Sequence, residues 1–415
     1  MAAGSLSVAD ARAAVLARVQ RSLPAERVAL GEALGRVLAR EAVAPEDVPG
    51  ADNSAMDGYA VRAVDTAGAA ECSQAKLAVA EESRAGAPSA RALAPGEAFR
   101  ISTGGVMPEG ADAVLRIEEV EERDGAISFA VAVAPGRDVR RRGDDVSAGA
   151  LVLEPSTLLG PAELGVLASL AIAEPECARR PRVAIVSTGD ELLAPDEPMR
   201  PGGVRNSNAL TIDALARGAG AEVVSNERCP DDPGATREAL GRALEADVAV
   251  VCGGVSVGRH DHVKEAYAAL GADEAFWGVA LRPGRPTWFG VRGEPGAGGT
   301  LAFGLPGNPV SAFVTFVLFV RPALRALSGA PSGLDSATAR LAEAVPRLPA
   351  RDQAVRCGLE LGDDGWVATP TGPQGSHILT SLLGADALAT VTAGPGEAPA
   401  GTEVPVELLR SPGLH

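Results

Sequence analysis

The sequence is poor in the residues from which several common kinds of site are built. Its 415 residues include four histidines and five cysteines, and aromatic side chains account for only 3%. The cysteines are far apart in the chain: Cys72, Cys177, Cys229, Cys252 and Cys357. This spacing contains no C-x-x-C pair, so it argues against a disulfide framework and against a protein zinc or iron–sulfur site, and it favours a reducing compartment. His260 and His262 lack the further ligands that a metal site needs.

An excess of positive charge and long apolar runs are also missing. The formal net charge is −16, which argues against a general nucleic-acid surface. A local group of arginines inside a cleft can still oppose this field and bind a small anion. The first turns carry charges instead of an apolar signal segment, and no run of about 18 apolar residues follows. We therefore expect a cytoplasmic protein that binds neither membrane nor nucleic acid.

What remains is the composition of a folded chain with several domains. Hydrophobic residues make up 46% and charged residues 22%, as in globular proteins, and the length predicts about two to four domains. The pattern over residues 7–19 predicts an amphipathic helix capped by Ser7, and residues 32–40 predict a second short helix. Residues 60–140 look β-rich, because short apolar runs there are separated by Gly, Pro and charges.

From residue 182 onward, strand-like and helix-like segments alternate. Strands are predicted at residues 183–186, 223–224, 248–251, 276–282, 287–291 and 301–303, and helices at 209–217, 233–244, 261–270 and 308–327. This alternation predicts a mostly parallel sheet with helices on both faces. In such sheets ligands bind beyond the carboxyl ends of the strands, where three polar loops meet, at residues 187–191, 253–261 and 305–308. Their coincidence indicates a binding site.

The loop at residues 253–258 joins a buried strand to a helix for which Asp261 could be the N-cap. Its glycines let the main chain turn at positive φ and approach a ligand closely. Backbone N–H groups ahead of a helix can hold an oxyanion. The pattern fits neither the Walker loop nor the dinucleotide fingerprint, so an anion site and a plain tight turn both remain open.

Other polar segments also allow two interpretations each. Residues 52–57 could fold their loop through side-chain to backbone bonds, or they could form a cation-binding rim. The charged segment 137–145 is either solvated or an arginine cluster beside paired carboxylates. Arg282 and Arg285 flank a Pro-Gly turn, which either lies on the surface or aims both guanidiniums at a tetrahedral oxyanion. The last quarter of the chain has the short strands of a small β-barrel, with a polar turn entering a helix at residues 372–382.

Six blocks together resemble the molybdopterin molybdenumtransferase family, the bacterial MoeA type related to the E domain of animal gephyrin. The blocks are residues 52–60 (DNSAMDGYA), 102–104 with 108–114, 187–192 (STGDEL), 253–258 (GGVSVG) with Asp261 and Lys264, 304–311 (GLPGNPVS) and 374–377 (QGSH). They occur in order and cover nearly the whole chain.

The resemblance implies a fold and a reaction. It implies a central doubly wound α/β domain with the molybdopterin-binding fold, a β-rich inserted domain, a discontinuous mixed N-terminal domain and a small C-terminal β-barrel, at residues 179–329, 51–139, 1–50 with 140–178, and 334–415. Such proteins insert molybdenum from molybdate into adenylylated molybdopterin, with Mg²⁺, and release molybdenum cofactor and AMP. A homodimer is implied, and the molybdopterin adenylyltransferase and cofactor-accepting enzymes are candidate partners.

The family's functional residues carry over to matching positions. The residues implied in the active cleft are Asp57, Thr103, Asp190, Glu191, Asp261, Pro306 and Pro309, of which the first five are the catalytic candidates. Asp57, Glu191 and Asp261 are candidate Mg²⁺ ligands, direct or through water. The implied substrate-binding residues are Ser187, Gly253, Gly254, Ser256, Gly258, Arg282, Arg285, Ser311, Arg356 and Ser376. Arg142 and Asp145 are expected to reach in across the dimer.

The chain departs from the family pattern near one turn. Gly278 stands where a lysine is common, and Arg282 and Arg285 replace two other lysines, which keeps the charge and adds bidentate reach. Two other functions remain open. One is the adenylyltransferase step, which would need only the central domain, and the other is a non-catalytic scaffold.

Overall fold

The computed structural model describes residues 5–20, 22–256, 261–295, 299–331, 333 and 335–410. Its α-helices are Val8–Leu16, Pro161–Ser169, Ser207–Gly218, Pro233–Ala243, Val263–Ala269, Pro309–Thr315 and Arg321–Leu327. A π-helical segment, Phe316–Val320, joins the last two into one long helix. Short 3-10 turns occur at Leu30–Glu32, Ala63–Thr66, Ile117–Glu119 and Leu379–Leu382.

The first helix, Val8–Leu16, starts where the sequence predicts it. The hydroxyl of Ser7 accepts the N–H of Asp10 at 3.0 Å, which satisfies one of the free donors at the helix start. Ala11 and Val15 are buried in the same core as the central sheet. The N-terminal segment is therefore packed against the α/β part of the chain.

The prediction of a helix over residues 32–40 is wrong. Val37 and Leu38 are buried there, and each forms an antiparallel bridge, to Leu158 and to Cys177 respectively. Backbone pairing with distant segments takes the hydrogen bonds that a helix would have used. Tertiary context thus overrides the local helical pattern.

Residues 58–129 form a mixed six-stranded sheet, as the β-rich pattern predicts. The strand order is Ala113–Arg116, Gly58–Val61, Glu97–Ile101, Ala75–Ser83, Ala126–Phe129 and Val120–Arg123. Leu77, Ile127 and Phe129 are buried in its core.

Short strand pairs connect distant parts of the chain. They are Ala25–Arg27 with Glu176–Ala178, Ala42–Val43 with Leu151–Leu153, Asn53–Ser54 with Val139–Arg140, Leu192–Leu193 with Val204–Arg205, and Val345–Pro346 with Glu397–Ala398. The first three pair segments before the inserted sheet with segments after it. The domain boundaries themselves stay a prediction.

The central sheet is mostly parallel, as predicted. Its order is Glu222–Cys229, Arg182–Thr188, Val248–Cys252, Thr300–Leu305, Trp288–Arg292 and Asp273–Trp277, and the first four strands are parallel. Trp288–Arg292 runs antiparallel to both of its neighbours.

Successive side chains of the central strands enter two different cores, so the sheet is covered on both faces. Val183 and Ile185 pack with the helix Ser207–Gly218 and with the long C-terminal helix. Ala184 and Val186 pack on the other face, with the helices Pro233–Ala243 and Val263–Ala269. This alternation follows from the two-residue period of a β-strand.

The helical stretch Pro309–Leu327 is long and apolar enough to cross a membrane, but 83% of its most apolar window is buried inside the protein. Its Val310, Phe316 and Leu324 belong to the core against the central sheet. The stretch is therefore a core helix.

The C-terminal part is a closed five-stranded barrel. Its ring runs Asp352–Gly362, Gly365–Pro370, Ser336–Leu341, Glu403–Leu408 and Ala387–Val391, and the last strand pairs back with the first. The strand Ser336–Leu341 was not predicted. In the polar turn at residues 372–382, only the short 3-10 turn Leu379–Leu382 is helical.

The strand predicted over residues 276–282 is divided between two sheets. Asp273–Trp277 is an edge of the central sheet, whereas Leu281–Arg282 pairs in parallel with the start of barrel strand Asp352–Gly362. Between them, the carbonyl of Gly278 accepts the N–H of Leu6 at 3.2 Å. The chain therefore leaves the central sheet here and joins it directly to the barrel.

Candidate active site

A cavity of about 550 Å³ lies at the carboxyl ends of the central strands. The three loops that the sequence singles out line it together, and so do many of the predicted residues: Ser187, Glu191, Gly253, Gly254, Ser256, Asp261, Pro306 and Pro309. Gly258 lies outside the described residues. The carboxyl edge of a parallel sheet is where ligands bind in folds of this kind.

The close approach of two strand ends shapes the floor of this cavity. Gly253 has φ +97°, and a Cβ there would lie 2.7 Å from Thr188 Oγ1. A larger residue at this position would force the two loops apart. Thr188, which belongs to the block at residues 187–192 but is not one of the implied functional residues, lines the cavity too.

Two residues that line this cavity carry buried hydroxyls without a hydrogen-bond partner in the described part of the protein. They are Ser187 Oγ and Thr188 Oγ1, and both residues are buried. Buried polar atoms are rarely left unpaired unless a ligand or water completes them. The pair therefore leaves two unpaired polar atoms beneath the wall of the cavity.

Asparagines after the strand Val204–Arg205 form a further wall. Asn206 caps the helix Ser207–Gly218 by accepting the N–H of Ala209 at 3.1 Å. Asn208 donates to the carbonyl of Gly307 at 2.8 Å. Both asparagines line the cavity.

Carboxylates enter the cavity from three segments. Glu191 and Asp261 line it as expected, and Asp231, which was not predicted, lies with them. Asp190 does not line it, because its carboxylate accepts the N–H of Asp231 at 3.2 Å. The carboxylate of Asp190 thus ties two loops together.

Asp261 is not the helix cap that the sequence predicts. The helix starts at Val263, and His262 is at its N-cap position without a side-chain bond. The N–H of Val263 bonds to the carbonyl of Gly254 at 3.3 Å, which ties the start of the helix to the glycine-rich loop. Among the described residues, no group of three or more His, Cys, Asp or Glu side chains is arranged to hold a metal ion.

Cys252 ends a central strand at the wall of the cavity. Burial raises the pKa of its thiol to about 12. The thiol therefore stays protonated at neutral pH and offers neither a nucleophile nor a metal ligand, since both require the thiolate.

A second, smaller cavity of about 240 Å³ adjoins the first, and Pro286 lines both. Its polar lining consists of Arg282, Arg285, Ser311, Arg351, Gln374 and Ser376. Arg282, Arg285, Ser311 and Ser376 were predicted on this side. Gln374 belongs to a recognised block but was not selected, and Arg351 belongs to none. Within the described part of the chain, this lining carries guanidiniums, hydroxyls and an amide but no carboxylate.

Arg356 lies behind this cavity and supports one of its loops. It is fully buried. Its Nε donates to Ser381 Oγ at 3.1 Å, and a terminal nitrogen donates to the carbonyls of Pro373 and Gly375. Burial lowers the pKa of this guanidinium, and its other terminal nitrogen has no partner in the described structure.

Gln374 completes this support from the opposite direction. Its side-chain oxygen accepts the N–H of Arg356 at 2.9 Å, and its amide nitrogen donates to the carbonyl of the same residue at 3.3 Å. The loop is thereby fixed to the barrel strand, with Ser376 turned to the cavity.

The predicted residues that precede the central sheet in the chain lie in neither cavity. Asp57 Oδ1 accepts the N–H of Thr103 at 2.8 Å, and both residues are exposed. Arg142 pairs with Asp47 at 2.5 Å. The N–H of Asp145 bonds to the carbonyl of Val48 at 3.0 Å. Within one chain, these groups hold their own loops.

Three family models match the chain in succession. They are described as the MoeA N-terminal region (domain I and II), over residues 6–171, the "Probable molybdopterin binding domain", over residues 184–326, and the MoeA C-terminal region (domain IV), over residues 338–409. Molybdopterin molybdenumtransferase 2 of Mycobacterium tuberculosis is 37% identical over 94% of this chain and 97% of its own.

The chain belongs to the MoeA family.

Further relatives agree with this assignment. The molybdopterin molybdenumtransferase of Haemophilus influenzae is 35% identical over 97% of this chain and 98% of its own. A solved structure, the molybdopterin biosynthesis MoeA protein of Pyrococcus horikoshii, superimposes with a TM-score of 0.81 at 31% identity, over 97% of this chain and all of that one. The MoeA fold inferred from the six blocks is thus confirmed over nearly the whole length, with its central molybdopterin-binding-type domain and its C-terminal barrel.

Proposed function

We propose that this protein inserts molybdenum from molybdate into adenylylated molybdopterin and releases molybdenum cofactor and AMP. Its MoeA relatives in M. tuberculosis and H. influenzae bear the name molybdopterin molybdenumtransferase. The observation that carries the proposal is a pair of adjoining cavities with different chemistry and one shared wall residue, Pro286. Two substrates of different size and charge can bind side by side, one in each cavity.

The smaller cavity is the proposed molybdate site. Molybdate is a tetrahedral dianion, and the guanidiniums and hydroxyls of this cavity are donors for its oxygens. The guanidinium of Arg356, buried behind the loop that carries Ser376, adds positive charge from the rear. Burial raises the pKa of the Cys252 thiol to about 12, so this thiol is unsuited to bind molybdenum, and in this proposal the dithiolene of the pterin supplies the sulfur ligands.

The larger cavity is the proposed site for the pterin nucleotide. Polar residues such as Ser187, Thr188 and Asn206 line this cavity and suit the polar groups of that substrate. Glu191 and Asp261 supply the carboxylate oxygens that Mg²⁺ prefers, so they fit as its ligands, with water or phosphate oxygens completing the shell. Bound Mg²⁺ would polarise the phosphate that leaves with AMP.

We further propose that a second copy of the chain completes the cleft. The exposed Asp57–Thr103 pair and the loop of Arg142 and Asp145 lie in neither cavity of their own chain. In a homodimer, these groups can reach the partner's cavities. Asp57 then serves as the third candidate Mg²⁺ ligand, and its bond to the N–H of Thr103 keeps the carboxylate oriented.

Two substitutions test the site. Glu191→Gln and Asp261→Asn remove one carboxylate charge each and should abolish the formation of cofactor from adenylylated molybdopterin, while the circular dichroism spectrum stays unchanged. Asp364→Asn is the matched control, because Asp364 lies on the surface of the barrel. AMP release and ATP consumption are measured in parallel. Wild-type activity in either variant contradicts the site assignment, and ATP consumption without AMP release supports the adenylyltransferase alternative.

A further inference from the structure

We infer that Arg351 is a third cationic binding residue for the tetrahedral oxyanion and that it adapts the smaller cavity to dianions. This inference rests on the proposed function and deepens it. Arg351 immediately precedes barrel strand Asp352–Gly362, outside the six blocks of family resemblance. It lines the cavity together with Arg282 and Arg285.

The register between the two domains brings these arginines to one side. Leu281 pairs with Asp352, and Arg282 pairs with Gln353, in parallel. Paired residues point to the same face, and side chains two positions apart on a strand share a face. Arg351 immediately precedes this pairing, and both Arg282 and Arg351 line the cavity. One domain thus delivers Arg282 and the other Arg351 to a common cavity.

The hydrogen bond next to this pairing fixes the position of Arg351. The N–H of Asp352 donates to the carbonyl of Ala280 at 2.8 Å. On the other side, Leu348 and Arg351 bridge across a tight turn. The backbone of Arg351 is therefore held on both sides, and only its side chain has to adapt to a ligand.

The cationic charge of the cavity is not neutralised by nearby carboxylates. Among the residues that the structure describes, no acidic residue lines the cavity. The neighbouring carboxylate of Asp352 accepts the N–H of Ala393 at 2.9 Å instead. No ion pair joins Arg282, Arg285 or Arg351 to a carboxylate within the described part of the chain.

Two other arginines of the C-terminal region are paired with carboxylates. Arg340 pairs with Asp364 at 3.1 Å, and Arg410 pairs with Asp386 at 2.8 Å. Arg351 differs from both, since it lies in a concave site among other guanidiniums. Three like charges in one small cavity repel one another, and that repulsion is relieved by a bound anion.

A third guanidinium favours two charges on the ligand over one. Coulomb energy scales with the product of the charges, so Arg351 stabilises a bound dianion about twice as much as a monoanion of the same shape. Molybdate and perrhenate are a suitable pair of probes, because both are tetrahedral tetra-oxo anions and they carry two charges and one charge.

The experiment compares the wild type with Arg351→Gln and Arg351→Lys by isothermal titration with molybdate and with perrhenate at fixed ionic strength. The glutamine variant should bind molybdate roughly 10- to 100-fold more weakly, as expected for the loss of a charged hydrogen bond, and perrhenate only about 3- to 10-fold more weakly. The lysine variant keeps the charge but loses the bidentate fork, so it should retain the wild-type preference for molybdate over perrhenate.

Arg340→Gln is the matched control, because it removes an exposed guanidinium from the same barrel outside the cavity. Equal weakening of both anions in Arg351→Gln, or no weakening, overturns the inference, and thermal unfolding curves that match the wild type rule out a folding defect. Cofactor synthesis by the wild type is measured separately. If the wild type makes no cofactor but its preference for molybdate depends on Arg351, the proposed function is contradicted and the role of Arg351 in anion binding is supported.

Discussion

Burial and available partners decide what each arginine does. Arg116 binds both carboxylate oxygens of Asp138, each at 2.9 Å, in a bidentate pair. Arg356 is buried and bonds instead to backbone carbonyls of the loop that carries Ser376. The family resemblance implies that Arg356 binds substrate. In this chain, however, its hydrogen bonds hold the loop that carries Ser376. Residue type alone does not separate these roles.

The Arg116–Asp138 pair should make the stability of the folded protein depend on pH. The bond from Arg116 holds the pKa of Asp138 below its ordinary value of 3.8. A carboxyl with a depressed folded pKa stabilises the protein above its unfolded pKa, and this contribution is lost as the pH falls through the folded pKa. Asp138→Asn should therefore lower the urea unfolding midpoint by a constant amount above about pH 5. The difference from wild type should shrink below pH 3.8, and a difference that does not change with pH contradicts the assignment.

At the scale of elements, one turn sets the geometry of the smaller cavity. Residues 283–286 turn tightly between the two cavities, and the hydroxyl of Thr287 donates to the carbonyl of Gly284 at 2.7 Å. Gly284 has φ +119°, and a Cβ there would lie 2.5 Å from Thr315 Cγ2 on the long helix. The turn that carries Arg282 and Arg285 is therefore pressed against that helix.

Gly284→Ala should move this turn. The backbone strain and the clash together should cost about 1–3 kcal/mol of stability, and the displaced arginines should weaken molybdate binding. Gly365→Ala is a control for strain alone, since Gly365 has φ +112° but a Cβ there would meet no other atom within 4 Å. Melting temperature and molybdate titration are measured for both. Equal molybdate affinity in the two variants would show that contact with the helix does not set the cavity.

The sequence predicts correctly those elements that a local pattern of residues defines without reference to a distant partner. The parallel strands of the central sheet could be predicted because each is an apolar run followed by a polar loop. The strand Leu281–Arg282 could not be placed, because its partner is a barrel strand that begins at Asp352. The same holds for the site, where the glycine-rich loops were found, but Asp231 and Arg351 join the cavities only through long-range packing.

At the scale of the whole molecule, a buried ion-pair cluster joins three parts of the chain. Arg321 on the long helix bonds to Glu407 of the barrel at 3.0 Å, and both are buried. Arg12 of the first helix pairs with the same carboxylate. The N-terminal helix, the core helix and the barrel thus meet at one residue, and their mutual orientation depends on it.

Glu407→Ala should be strongly destabilising. It leaves the guanidinium of Arg321 buried beside fewer negative charges, and the loss of one partner of a buried pair costs about 3–5 kcal/mol. Asp364→Ala removes the partner of the exposed Arg340 on the same barrel and should cost no more than about 1 kcal/mol. Denaturant unfolding of both variants checks the contrast. Similar costs would mean that the buried cluster does not hold the three parts together.

The arginine-lined cavity lies in a protein whose net charge is −16. A dianion approaching from far away therefore meets repulsion, and it meets attraction only near the cavity mouth. Salt screens interactions beyond about 8 Å at physiological ionic strength. Adding salt should therefore raise the association rate of molybdate, because it screens the long-range repulsion. It should also lower the affinity, because it screens the attraction inside the cavity.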